Sequence, residues 1–115
     1  MANRAGAVRW SIRITRSAQQ DMAAIRAWTR QRFGSRQALA YARTLAHALQ
    51  ALGESPDVAG TRQRDDLGQN IRVLHVARGG RHGRHFVVFR PGGKHCIDVL
   101  RILHDSMDLA RHVEP

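Results

Sequence analysis

Cys96-Ile-Asp-Val-Leu-Arg-Ile-Leu103 is the last of three apolar runs that follow one another in the second half of the chain. The other two are residues 71–77 and His85-Phe-Val-Val-Phe-Arg90, and glycine-rich segments at 78–83 and 91–93 separate the three runs. Short β-rich runs joined by glycine turns are typical of consecutive antiparallel strands. The second half of the chain is therefore predicted to form a β-meander.

The first half begins with a strand pattern and then changes to a helical period. Apolar and polar residues alternate over residues 8–15, which predicts a half-buried strand. Ser17 and Gln20 have the spacing of a capping box, and Asp21 is expected in the first turn of the helix that follows. Gly34 is predicted to end this helix in a left-handed conformation.

A second helix follows so closely that the two helices must form an antiparallel hairpin. Ser35 is its predicted cap and Gly53 its predicted end. Residues 54–68 combine glycine, proline and charge and are predicted to be a loop. Asp105 is predicted to cap a short last helix over residues 106–112.

The predicted fold is α+β, with the element order β-α-α-β-β-β and a short C-terminal helix. The helical hairpin packs on one face of a small, largely antiparallel sheet, which gives two layers. The other face is expected to stay partly open and to carry arginines. A length of 115 residues fits one domain, predicted over residues 8–115 after a flexible tail at residues 1–7.

The charge balance is strongly positive. The chain has 19 Lys and Arg against 9 Asp and Glu, a net charge of +10, and Lys94 is its one lysine. This excess indicates a polyanionic or acidic partner. No apolar run is long enough to span a membrane, and the first residues predict no secretory leader. The single cysteine excludes an internal disulfide. We expect a cytoplasmic protein without a membrane partner.

Standard catalytic motifs are absent from the sequence. It has no phosphate-binding glycine loop, no nucleophile elbow and no helical pair of metal-binding histidines, so we expect no metal and no cofactor. One arginine lies on each predicted meander strand, and a histidine ends the last one: Arg72, Arg90, Arg101 and His104. Arginine can clamp phosphate or pair with a carboxylate, and histidine can act as an acid or base. Structural pairing of these arginines with nearby aspartates is the alternative.

The order of these motifs resembles the RelE/ParE superfamily of small bacterial toxins, and its ParE branch in particular. The resemblance covers about residues 12–113. Its motifs are Ile12-Arg-Ile-Thr-Arg-Ser-Ala-Gln-Gln-Asp21, Arg32-Phe-Gly34, Tyr41 with Leu45, Leu52-x-x-x-Pro56, Gly60-x-Arg62, Ile71-Arg-Val73, Val87-Val-Phe-Arg90 and Val99-Leu-Arg-Ile-Leu-His104-x-x-Met107-Asp108.

The resemblance implies the toxin of a type II toxin–antitoxin pair, neutralised by a ParD-like antitoxin in a hetero-oligomer. An acidic antitoxin would suit the charge of this chain, and its expected contacts on the hairpin are Trp28, Tyr41 and Leu45. The ParE branch implies inhibition of DNA gyrase and replication, without catalysis by the toxin itself. The expected target contacts are Arg72, Arg90, Arg101, His104, Met107 and Asp108.

The sequence leaves two alternatives open. One is a ribosome-dependent mRNA endonuclease of the RelE kind, with Arg72 and His104 as its catalytic residues. Against it, Phe86 stands where a RelE arginine is expected, the C-terminal tyrosine is missing, and the one tyrosine of the chain is Tyr41 in the hairpin. The second alternative is a non-toxic, basic nucleic-acid-binding module. No catalytic residue is assigned with the ParE interpretation.

Overall fold

A computed structural model describes residues 8–113. The elements are β1 (Ser11–Ile14), α1 (Arg16–Phe33), α2 (Ser35–Glu54), β2 (Thr61–Gln63), β3 (Arg72–His75), β4 (His85–Gly92) and β5 (Cys96–His104), followed by a short 3-10 helix (Leu109–Arg111). The tail predicted at residues 1–7 lies outside the described residues. Among these residues, neither helix is long and apolar enough to cross a membrane.

Five strands form one sheet in the order β1-β5-β4-β3-β2. β1 runs parallel to β5, whereas all other neighbouring strands are antiparallel. The parallel pair arises because the whole hairpin lies between β1 and the meander in sequence, and such a connection can return the chain in the same direction. Both helices contact the strands from one side, so the predicted two-layer α+β fold is confirmed.

β2 was not predicted, and the interpretation of residues 54–68 as a loop is wrong at this point. The strand has only three residues, Thr61–Gln63, which pair antiparallel with β3. A run that short shows no alternation of apolar and polar residues. Its conformation comes from hydrogen bonding to the neighbouring strand, which the local sequence does not show.

α1 begins two residues earlier than the predicted Ser17 cap. Thr15 is the N-cap: its Oγ1 accepts a hydrogen bond from the backbone N–H of Ala18 at 3.2 Å and donates to the carbonyl of Leu100 at 3.0 Å. Thr15 therefore fixes the start of the helix to β5. Asp21 consequently lies beyond the first turn, where it binds another residue instead of the helix dipole.

The two glycines predicted at helix ends differ. Gly34 has a φ of +92° and separates the helices, as predicted, and it also replaces Ser35 as the N-cap of α2. Gly53 lies inside α2, so its predicted role as a helix end is wrong. The side chain of Arg9 packs against its Cα, and its carbonyl accepts from the N–H of Trp10 at 2.8 Å. A close approach of backbone and side chain therefore explains this glycine.

Hydrophobic residues are buried on both faces of the sheet. The larger cluster lies under the helices and consists of Ala18, Leu45, Ala48, Leu52, Leu74, Val76, Val87, Phe89, Ile97, Val99 and Ile102. The smaller cluster lies on the opposite face and consists of Leu67, Ile71, Val73, Val88, Leu103, Leu109 and Val113. The expectation of a partly open second face is wrong there, because the C-terminal segment covers it.

The C-terminal segment forms a 3-10 helix at Leu109–Arg111, and the longer helix predicted over 106–112 is wrong. Asp108 caps it by accepting from the N–H of Ala110 at 3.3 Å. Asp105 has no capping role, since its carboxylate faces His75 and Arg84. This difference brings Asp105 into the site described next.

Candidate functional site

A cleft of about 880 Å³ opens between the helical hairpin and one end of the sheet. One wall comes from the C-terminal half of α1 and the N-terminal half of α2, and the other from the ends of β4 and β5 and the segments beside them. The lining residues are Ala24, Ile25, Trp28, Thr29, Phe33, Gln37, Tyr41, His82, Gly83, Arg84, His85, His104, Ser106 and Met107. The volume falls in the usual range for ligand sites.

The hairpin wall is apolar and unusually exposed. Trp28 is 53% exposed and Phe33 61%, and their rings meet edge to face with centroids 5.8 Å apart. The guanidinium of Arg32 lies 5.3 Å from the centre of the Trp28 ring, a cation–π distance. Met107 faces them from beyond β5 and is 44% exposed. Large apolar side chains left this open mark an interaction surface.

The floor of the cleft holds a tyrosine–histidine pair. The hydroxyl of Tyr41 lies 2.6 Å from Nδ1 of His85 and accepts a hydrogen bond from the backbone N–H of Arg84 at 3.0 Å. Burial, reinforced by the neighbouring His104, lowers the pKa of His85 from 6.5 to about 4. Burial also raises the pKa of Tyr41. At neutral pH, Tyr41 is therefore the donor and the neutral His85 ring the acceptor.

His104 stands beside this pair, with its ring centroid 5.2 Å from that of His85. Its Nδ1 accepts from the backbone N–H of Ser106 at 3.1 Å and lies 2.7 Å from the hydroxyl of the same residue. Because Nδ1 is an acceptor, the proton of the neutral ring is on Nε2. The side chain is 37% exposed, so this N–H group is available to a ligand in the cleft.

Asp105 connects two segments at the rim of the cleft by hydrogen bonds. Its carboxylate accepts from Nε2 of His75 at 2.9 Å and from Nε of Arg84 at 3.1 Å. These hydrogen bonds, that of His75 first, lower the pKa of Asp105. The aspartate thus fixes the segment before β4 to the end of β5. Within residues 8–113, no group of three or more His, Cys, Asp and Glu residues is placed to hold a metal ion.

A sequence model of the family described as "ParE toxin of type II toxin-antitoxin system, parDE" matches residues 12–109. The chain belongs to the ParE toxin family. Two curated relatives agree with this ParE assignment: Toxin ParE1 of Caulobacter vibrioides is 33% identical over 101 residues, covering 88% of this chain and 95% of that protein. Toxin ParE1 of Mycobacterium tuberculosis H37Rv is 31% identical over 100 residues, covering 87% and 94%.

Solved structures show the same ParE-like fold. A chain from the chromosomal ParDE toxin–antitoxin system of P. aeruginosa has a TM-score of 0.68 and 23% identity, and covers 83% of this chain and 95% of that one. A chain of the toxin–antitoxin complex RelBE2 from Mycobacterium tuberculosis has a TM-score of 0.56 and 14% identity, covering 84% and 99%. The predicted ParE branch is thus confirmed by sequence, and the shared fold by structure.

The three predicted antitoxin contacts of this ParE toxin have different positions. Trp28 and Tyr41 both line the cleft, one on its apolar wall and one on its floor. Leu45 is 3% exposed and belongs to the core beneath α2. In this conformation, a partner in the cleft can contact the side chains of Trp28 and Tyr41 but not that of Leu45.

The six predicted target contacts are not gathered in one place. His104 and Met107 line the cleft. Arg101 forms a bidentate pair with Asp21 of α1, at 2.7 and 2.9 Å, and donates to the carbonyl of His112. These bonds hold α1 and the C-terminal segment to the sheet. Asp108 caps the 3-10 helix.

Arg72 and Arg90 lie on opposite faces of the ParE sheet. Arg72 pairs with Phe89 in register, whereas Arg90 is the next residue along β4, and successive side chains alternate in direction. Nη1 of Arg72 donates to Asp57 at 2.6 Å and to the carbonyl of Pro56 at 3.1 Å. Arg72 therefore anchors the segment after α2.

Arg72 and His104, the catalytic pair of the endonuclease alternative, are well separated. Arg72 pairs with Phe89 and His104 with His85, so four residues of β4 and two strand spacings lie between them. This geometry places their Cα atoms roughly 16 Å apart. The two side chains are too far apart to act on one phosphodiester while this arrangement persists.

The sequence patterns did not identify His85, Asp105 and Ser106 as parts of the site. The strand pattern gives the approximate start of β4, but it does not show that His85 faces His104 across the β4–β5 pair. Tyr41 is 44 positions away from its partner His85. The clustering of histidines between residues 75 and 104 is the signal that could have indicated a polar site at this end of the sheet.

Proposed function

We propose that this ParE toxin is neutralised by a ParD-like antitoxin whose C-terminal segment occupies the cleft. The observation that carries the proposal is the open apolar wall of Trp28, Phe33 and Met107, which stays exposed in the isolated chain. An antitoxin segment that folds on binding would bury these side chains. Toxin–antitoxin complexes are named among the solved proteins that share this fold.

Charge supports an acidic partner. The chain has a net charge of +10, and the cleft is bordered by Arg32 and Arg84. The side chain of Arg84 is 70% exposed, so its free Nη groups face solvent although its Nε binds Asp105. A carboxylate-rich segment would pair with these groups and associate faster at low salt.

The test is calorimetric titration of the toxin with the product of the adjacent reading frame. Trp28→Asp places a charge in the apolar wall and is expected to weaken binding at least tenfold, as loss of a central aromatic contact does. Leu39→Asp is the matched control, because Leu39 is also exposed, at 56%, and does not line the cleft. Equal affinities of the two variants would contradict the proposed binding site.

We further propose that the free toxin inhibits DNA gyrase through contact rather than bond cleavage, in the cytoplasm. Membership of the ParE family supports this target, and the excess of positive charge suits a complex of protein and DNA. His104 and Met107 are the predicted target contacts that line the cleft. Binding of an antitoxin in the cleft would cover both.

Purified gyrase provides the test. Supercoiling of plasmid DNA is expected to fail, or to leave linear DNA, when the toxin is added, and the antitoxin should restore it. In a separate translation reaction with the same toxin, messenger RNA on translating ribosomes should stay intact. Normal supercoiling at a toxin concentration that stops growth would exclude gyrase as the target.

A specific observation favours the endonuclease as second candidate. The chain lacks a C-terminal tyrosine, yet the fold brings the hydroxyl of Tyr41 into the cleft beside His85 and His104. If the protein cuts mRNA, Tyr41→Phe should abolish cleavage. Arg72→Ala should then have a smaller effect, since Arg72 lies on another part of the sheet.

A further inference from the structure

A second feature of the cleft is a basic loop on its rim. The segment between β3 and β4 contains Arg78-Gly-Gly-Arg-His-Gly-Arg84. Gly79 and Gly80 have φ angles of +59° and +79°, and the N–H of Arg81 donates to the carbonyl of Arg78 at 3.1 Å. These are the marks of a type I′ turn, whose two central positions favour glycine because φ is positive there.

The loop is short of negative charge. Asp105 is the carboxylate that binds Arg84, and among residues 8–113 Arg81 forms no salt bridge. Arg81, His82 and Arg84 are all exposed. Three arginines against one aspartate leave a local positive field at the mouth of the cleft, where an anion is favoured.

We propose that this loop and the adjoining cleft bind a single-stranded polynucleotide, with phosphates on Arg81 and Arg84 and a base stacked on Trp28. Proteins that bind single strands combine an electropositive track with aromatic platforms in this way. Trp28 is half exposed, the guanidinium of Arg32 lies over one face of its ring, and Phe33 meets the ring edge to face, which leaves the other face for a base. The indole therefore offers a preorganised surface for a base.

The floor of the cleft supplies hydrogen bonds for the same ligand. His104 and Ser106 both line the cleft, and an imidazole N–H and a hydroxyl suit the edge of a base or a ribose oxygen. His85 stays neutral at physiological pH and holds Tyr41 by its hydroxyl. The cleft thus has few polar groups in fixed positions inside a mostly apolar wall.

A duplex does not fit this arrangement. Its bases are stacked on one another, so Trp28 could contact one only if a strand opened. The apolar wall from α1 would then face phosphates instead of bases. Single strands of RNA and of DNA share the required phosphate and base chemistry, and the structure makes no distinction between them.

This inference goes beyond the proposed antitoxin and gyrase interactions, because it concerns the toxin alone. It differs from the endonuclease candidate because it requires that a strand binds but not that it is cleaved. The site overlaps the antitoxin cleft at Trp28, so an antitoxin bound there and a polynucleotide would exclude each other. Failure of the antitoxin proposal would leave the binding of a polynucleotide to free toxin unchanged.

The experiment is fluorescence anisotropy of the free toxin with labelled single strands of about a dozen nucleotides, one of RNA and one of DNA of equal sequence. Arg81→Gln should weaken binding several-fold more than Lys94→Gln. Both changes remove one exposed loop cation, but Lys94 lies in the β4–β5 turn at the other end of the sheet. The strand that binds more tightly identifies whether the ligand of the site is RNA or DNA.

Stacking is tested separately. Trp28→Ala should weaken binding roughly 5- to 100-fold, the effect of losing one base–aromatic stack. Leu39→Ala, which removes an exposed apolar group from the outer face of α2, should leave the affinity unchanged. Equal effects of Arg81→Gln and Lys94→Gln, an unchanged affinity of Trp28→Ala, or competition by a duplex as strong as that by a single strand would each overturn the proposal.

Discussion

The hydroxyl of Tyr41 in α2 lies 2.6 Å from Nδ1 of His85 at the start of β4. This bond joins the helical layer to the sheet at the floor of the cleft. Tyr41 also accepts from the backbone N–H of Arg84, so one side chain fixes both the strand and the basic loop before it. The stability of the fold and the shape of the site therefore depend on the same hydroxyl.

We predict that Tyr41→Phe lowers the free energy of unfolding by about 1–3 kcal/mol. The substitution removes both hydrogen bonds of the hydroxyl and leaves the half-buried His85 without its donor. Urea denaturation measures the change. Thr29→Val is the control: its hydroxyl donates within α1 to the carbonyl of Ile25, so we expect a change within about 0.5 kcal/mol. Equal losses would show that the Tyr41–His85 contact contributes little.

The depressed pKa of His85 predicts an acid-sensitive stability. The ring binds protons at an ordinary pKa of 6.5 when unfolded and at about 4 when folded. The unfolded chain therefore binds more protons between these values, and stability must fall as the pH drops through this window. Because the ring is only about half buried, solvent limits the loss to about 1–2 kcal/mol.

Urea midpoints measured between pH 6.5 and pH 4 test this pH dependence. His85→Gln should remove most of the decline, whereas His82→Gln, a change in the exposed loop before β4, should keep it. The carboxylate of Asp105 contributes only at lower pH, since its pKa lies below the ordinary aspartate value. A decline of the same size in His85→Gln would assign the effect to another group.

Arg101 is predicted to be a structural residue in its pair with Asp21. The carboxylate of Asp21 also accepts from the backbone N–H of Ile102 at 2.9 Å, and the two side chains are only 27% and 15% exposed. Arg101→Met should cost about 2–3 kcal/mol, because it leaves a largely buried carboxylate without its cation. The exposed pair of Arg13 and Asp98 is the comparison, and Arg13→Met should cost clearly less than Arg101→Met.

A double-mutant cycle separates the pair from other effects of the arginine. Combining Arg101→Met with Asp21→Asn should cost clearly less than the sum of the two single changes, since each partner depends on the other. Strict additivity would mean that Arg101 stabilises the protein through His112 or packing. If Arg101→Met keeps its fold but is no longer toxic, Arg101 would again be a candidate target contact.

Much of the fold could be predicted because hydrophobic period and glycine position are local properties. The two helices, the turn at Gly34 and the three strands of the meander all follow from patterns within a few residues. β2 and the α1 cap at Thr15 could not be predicted in this way. Each depends on hydrogen bonds to a strand distant in sequence, β3 in one case and β5 in the other.

The site was less accessible to sequence analysis than the fold. Arg72, Arg90 and Arg101 look equivalent along three strands, yet Arg72 binds Asp57, Arg101 binds Asp21, and Arg90 lies on the sheet face opposite Arg72. A register irregularity at Val88 and Phe89 shifts the β4–β5 pairing by one residue, and alternation along each strand cannot reveal it. Whether a predicted contact residue can reach a partner depends on its exposure, which the packing of the folded chain determines. Trp28 is exposed and Leu45 is buried.

Gly83 provides a last test of how the cleft is held. A Cβ added at Gly83 would collide with the side chain of Val76 and meet the Tyr41 hydroxyl at 3.1 Å. Gly83→Ala should therefore displace Tyr41 from His85 and lower the free energy of unfolding by about 1–3 kcal/mol. Gly93→Ala is the matched control, since a Cβ there has no neighbour within 4 Å among residues 8–113. If both variants unfold at the wild-type urea concentration, the cleft floor accommodates the added methyl group without loss of stability. Close packing between Tyr41 and the basic loop would then not be what holds the cleft.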